Sequence, residues 1–127
     1  MTTTSNRDDV ISAVESYLRG LGDRGLSDAR LDPDVTYESP ISPKRHGADN
    51  LIEFLSGLFP FLTGVTILDH IVEGPLCATR FQLHTTAGPV HVFDRFEVRD
   101  GRIISVNPYY DPAPLVAATT AAADPST

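Results

Sequence analysis

A chain of 127 residues is close in size to one domain, since ~150 residues per domain is the usual yardstick. Hydrophobic residues at 41% and charged residues at 21% describe a globular chain able to bury a core, not a disordered one. Ten Lys and Arg against 17 Asp and Glu leave a net charge of −7, which excludes a nucleic-acid partner and an anionic membrane surface, both of which demand a positive face. The single cysteine, Cys77, has no partner for an intrachain disulfide or for a paired-thiolate zinc site. The longest charge-free stretch, Phe54 to Leu68, is 15 residues with Pro60 and Gly64 inside it, too short for the ~20 apolar residues of a membrane span. The polar start, Met1 to Asn6, lacks the basic and apolar regions of a signal peptide, so a cytoplasmic location is expected.

In chain order, residues 1–5 are Thr/Ser-rich and read as lying outside the fold. Val10, Ile11, Val14, Tyr17, Leu18 and Leu21 then form one apolar stripe of a helix over about 8–21. Asn6 is its cap, Asp8 and Asp9 complement its dipole, and Gly20 and Gly22 weaken its end. Val35 to Ser39 reads as a short strand closed by Pro40 and Pro43. A second helix is expected from Asp49 to Phe59, stopped by Pro60. Strands follow over 65–73, 76–86, 90–99 and 102–110, separated by turns at Gly74-Pro75, Ala87-Gly88 and Asp100-Gly101. The low-complexity remainder, 113–127, reads as a mostly mobile tail, which leaves one domain over 6–112. Helices first and a meander of strands after is an α+β layout, with a curved antiparallel sheet wrapped over the helices.

Strand parity puts chemistry on one face. Val90, Val92, Asp94, Phe96 and Val98 alternate inward, so a carboxyl stands among apolar side chains. Such a group is costly unless paired, hydrogen-bonded or neutral, and desolvation pushes its pKa up. Tyr17, in the apolar stripe of the first helix, likewise carries a hydroxyl that needs a partner. Tyr37 and Ser39 share a strand face, and Tyr110 shares one with Ile104, Val106 and Pro108. Asp69 and His70 are adjacent on a strand and so point to opposite faces; either could reach the interior. His84 and His91 oppose each other if the hairpin turn centres on 87–88, but no third ligand joins them, and no metal is expected. No phosphate loop or nucleophile motif is present, so no cofactor is expected either.

The helix, the strand ending in YESP (37–40), the helix following HGADNLIEFL (46–55) and the run FDRFEVRDGRIISVNPYYDP (93–112) together resemble the nuclear transport factor 2-like superfamily. Within it the chain is similar to SnoaL-like and ketosteroid-isomerase-like proteins, through D-x-F-x-x-x-D-G-[KR]-I at 94–103. The resemblance implies a cone-shaped sheet with an internal apolar pocket, and a homodimer paired through the outer sheet face. It also implies that Tyr17 and a protonated Asp94 donate hydrogen bonds to one substrate oxygen, with Tyr37, Ser39 and Tyr110 lining the pocket. The family's base, a carboxylate just before a proline, is replaced here by Ser39, while Glu38 points to the other face. The expected function is a pocket for a small apolar molecule. One reading is a cofactor-independent isomerase, cyclase or dehydratase acting on a carbonyl or enol compound, and not a standard ketosteroid isomerase. The alternatives are a non-catalytic binding protein and a dimeric association module.

Overall fold

The computed structural model describes residues 6–123; the expectations for 1–5 and 124–127 fall outside the described residues. The elements are α1 (Arg7–Asp23), β1 (Leu31–Ser39), β2 (Ser42–His46), α2 (Ala48–Ser56), a 3-10 turn (Phe59–Phe61), β3 (Leu62–Glu73), β4 (Leu76–Thr85), β5 (Gly88–Arg99), β6 (Arg102–Tyr109) and α3 (Ala113–Ala123). This is an α+β fold: six strands form one curved, open sheet in the order β2-β1-β6-β5-β4-β3. Every neighbouring pair is antiparallel except β1 and β6, which run parallel. No helix among the described residues is long and apolar enough to cross a membrane.

The curvature has local causes. Between Ile67 and Asp69 the β3 strand carries an extra residue, Leu68, and β6 carries Ile104 as an extra residue between Ile103 and Ser105. Each bulge bends its strand and switches the side-chain parity beyond it. Val65 and Ile67 therefore turn toward the core before the bulge, and His70 and Val72 after it. The β6 bulge buries Ile103, where unbroken alternation from Tyr110 places Ile104.

α1 lies across β3, β4, β5 and β6 and buries Val10, Val14, Tyr17, Leu18 and Leu21. The Asn6 side chain accepts from the Asp9 amide at 2.9 Å, as its capping position requires. α2 packs on β1 and β2. It ends at Ser56, three residues before the expected stop at Phe59, because Pro60 tightens the next turn into the 3-10 geometry.

Three other expectations are corrected. β1 starts at Leu31 and is followed by a strand over 42–46, where Pro43 is tolerated because β2 is the sheet edge. The β4–β5 turn centres on Thr86-Ala87, one residue early. The Thr85 hydroxyl donates to the Gly88 carbonyl at 2.7 Å and accepts from the Ala87 amide at 3.1 Å, so it closes the turn. His84 thus pairs with Pro89 and His91 with Gln82, and the two imidazoles do not oppose each other. Finally, residues 113–123, expected within a mostly mobile tail, take up helical structure. They form α3, whose Leu115 and Ala118 are buried against the sheet.

Candidate functional site

Tyr17 from α1, Tyr37 from β1, Asp94 from β5 and Tyr110 just past β6 converge on one cavity. The apolar walls include Leu55 from α2, Phe81 and Leu83 from β4, Val92 from β5 and Leu115 from α3. The cavity measures about 30 Å³, room for about two waters. Four side chains from four distant segments meet here because α1 crosses the concave face over the middle of β5. Tyr17 packs edge-on against Phe96, two residues from Asp94, with ring centroids 5.7 Å apart. Tyr37 is steadied by Phe54 at 5.6 Å, which in turn carries the Arg45 guanidinium 4.3 Å above its ring.

Asp94 is 1% exposed, and its Oδ1 has no hydrogen-bond partner among the described residues. Burial holds its carboxyl well above the usual carboxylate range, while the backbone amides of Asn107 and Arg95 oppose the shift only in part. Burial likewise raises the Tyr17 phenol, with further contributions from Tyr37, Asp94 and Tyr110. Tyr37 and Tyr110 are raised mainly by burial as well; the nearby Ser39 hydroxyl works against both shifts. Every ionisable group lining the cavity is an acid, and none is basic. Burial favours the protonated form of all four groups, three phenols and one carboxyl, and in that form each can donate.

Ser39 does not line this cavity. It opens instead onto an outer cleft with Glu38, Asn107 and Pro108, and Pro108 borders both spaces. The Ser39 hydroxyl accepts from the Ile41 amide at 3.3 Å. Glu38 is exposed, as alternation requires.

Sequence reasoning missed a second polar cluster. The bulge at Leu68 aims His70 inward and leaves Asp69 outside, paired with Arg80 at 3.0 Å. His70 Nε2 lies 2.9 Å from Glu15 Oε2, and Nδ1 lies 2.7 Å from Thr79 Oγ1. A carboxylate only accepts, so Nε2–H donates to Glu15, while Nδ1 shares a hydrogen bond with the Thr79 hydroxyl. That hydroxyl is in turn 3.4 Å from the Cys77 thiol, which burial pushes up in pKa. Neither Asp69 nor His70 reaches the cavity. Leu115 was missed too: a lone Leu-Val pair in an alanine run carries no helical period.

The family model described as Domain of unknown function (DUF4904) matches residues 5–124. The chain belongs to the DUF4904 family. No curated protein matches it in sequence. Solved structures show that this DUF4904 chain shares the fold of nuclear transport factor 2-like proteins. A nuclear transport factor 2-like protein of unknown function from Cytophaga hutchinsonii is 18% identical, with a TM-score of 0.73 over 91% of this chain and 99% of that one. A steroid delta-isomerase from Pseudomonas aeruginosa is 17% identical, with a TM-score of 0.72 over 92% of this chain and 90% of that one. An LEH-like epoxide hydrolase of M. tuberculosis is 27% identical, with a TM-score of 0.69 over 94% of this chain and 98% of that one. The fold is thus one that enzymes share.

Proposed function

We propose that this protein is a cytoplasmic pocket protein that binds a small apolar molecule through one carbonyl or enol oxygen. One observation carries the reading: a fully buried carboxyl with an unpartnered oxygen faces a cavity that Tyr17, Tyr37 and Tyr110 share. Buried polar atoms are otherwise paired, so an unpartnered oxygen on a residue that lines a cavity is suited to a ligand. The protonated Asp94 and the Tyr17 phenol donate to the ligand oxygen, and the apolar walls hold its body. Two donors on one oxygen stabilise the charge of an enolate as it develops, which is the electrostatic half of an isomerisation, cyclisation or dehydration.

The absence of a second carboxylate from the cavity lining favours binding without turnover. Ser39 stands where the resemblance puts a base, and a serine hydroxyl does not take a proton unaided. The known enzymes of this fold keep catalysis in view as a class: steroid isomerisation and epoxide hydrolysis both occur on it.

The test is calorimetric binding of phenol and 2-naphthol to the wild type, Asp94→Asn and Asp94→Leu, from weakly acidic to weakly alkaline pH. The amide still donates, so Asp94→Asn retains most of the affinity. Asp94→Leu loses about 1–3 kcal/mol, the cost of an unmade buried hydrogen bond. Equal binding by the Leu variant would remove Asp94 from the site.

A further inference from the structure

The cavity is far smaller than any ligand proposed for it. About 30 Å³ holds two waters, whereas an apolar cavity of ~150 Å³ is what accommodates benzene. A wall that moves or is reshaped would give a ligand the room that the pocket lacks. Most walls are fixed: Tyr17, Leu55, Phe81 and Val92 belong to elements whose faces are buried along their length in the common core.

α3 is different. Of its side chains described here, only Leu115 and Ala118 are buried, and Val116 is 48% exposed. Its hydrogen bonds are local: the Ala113 amide donates to Asp111, the Val116 amide to the Pro112 carbonyl, and the Thr119 hydroxyl to the Val116 carbonyl. Among its described side chains, two are thus fully buried where the helix rests against β4, β5 and the 3-10 turn. An element with so few buried apolar contacts opens at lower cost than the sheet it rests on. Its one large buried side chain, Leu115 at 2% exposure, borders the same cavity as Asp94.

We propose that α3 is the movable wall of the cavity and that Leu115 sets the size of ligand the site admits. The inference rests on the ligand reading above and adds a specificity-determining residue to it. In the closed state the isobutyl group takes up space that a bicyclic ligand needs. A one-ring ligand demands a small shift of α3, and a two-ring ligand a larger one.

The experiment compares phenol with 2-naphthol on the wild type, Leu115→Ala and Leu115→Phe, with hydrogen exchange of the amides over 114–120 measured alongside. Leu115→Ala should raise the ratio of naphthol to phenol affinity about tenfold, and Leu115→Phe should lower it. In the wild type, saturating naphthol should speed exchange in α3 and leave α1 unchanged. An unchanged ratio across all three proteins overturns the role of Leu115. Slower exchange in α3 with naphthol bound overturns the movable wall, because the helix would then be closing on the ligand. If phenol binds and depends on Asp94 while the ratio ignores Leu115, this inference fails and the ligand reading stands. If phenol binds to none of the proteins, both fall.

Discussion

At the scale of single residues, the two polar clusters differ in what they leave undone. The Glu15–His70–Thr79–Cys77 chain pairs each of its members and does not line the Asp94 cavity, so it acts as a tie between α1, β3 and β4. Thr79→Val removes the hydroxyl that His70 Nδ1 uses, and it should cost about 1–3 kcal/mol of stability in urea unfolding. A loss under a few tenths would show that the imidazole finds another partner. Asp94 behaves in the opposite way. Its folded pKa is raised by burial, so the folded chain keeps a proton that the unfolded chain gives up near ~3.9. The folded state then binds more protons, and stability falls as pH climbs from that value to the folded one, by at most about 1.4 kcal/mol per pH unit. Asp94→Asn should flatten the urea midpoint against pH across this window. Parallel profiles for the two proteins would mean that Asp94 ionises freely. The carboxyl's inward direction was legible, because β5 alternates without interruption from Val90 to Val98. The direction of His70 was not, because it depends on a bulge at Leu68 that no composition signal marks.

At the scale of elements, Gly20 shows why a glycine near a helix end is a poor guide to where the helix stops. α1 runs past Gly20 and Gly22 to Asp23 and closes with Arg24 in the left-handed region at φ 58°. Gly20 is needed for close approach. A Cβ there would stand 2.7 Å from the Gly25 carbonyl oxygen and 2.9 Å from Leu26 Cδ2. The Gly25 amide also donates to the Gly20 carbonyl at 2.9 Å, which locks the two backbones together. Alanine is the better helix former by ~1 kcal/mol, yet Gly20→Ala should lower the urea midpoint, since backbone is what must shift. A raised midpoint would show that the loop after α1 yields. The same limit of local reasoning applies to α3. Its helix is held by where Leu115 lands, and that landing place is built by residues of the 3-10 turn, β4 and β5 far away in sequence.

At the scale of the whole molecule, the cone has an inside that the sequence describes well and an outside that it describes less well. Inward alternation on β4 and β5 follows from the spacing of Cys77, Phe81, Leu83, Val90, Val92 and Phe96, all buried. The parallel pairing of β1 with β6 was not legible, since it joins segments some 70 residues apart and leaves no turn between them to read. The outer face carries Phe93 at 46% exposure opposite Tyr109 at 64% across β5 and β6, with Ile71 at 64% beyond them. These side chains border a groove of about 380 Å³ that also holds Glu73 and Arg95. An apolar patch edged by one acid and one base is self-complementary under a two-fold axis: Arg95 of one copy can meet Glu73 of the other while the aromatics stack between them. We therefore propose a homodimer through this face. Sedimentation at tens of micromolar should report twice the chain mass for the wild type and a single chain for Phe93→Glu. Added salt should weaken the wild-type dimer only slightly, because the apolar contact carries most of the association and the rim charges add little. A wild-type monomer at that concentration would leave the outer face without a partner copy and remove the association reading, while the cavity and its Asp94 would be unaffected.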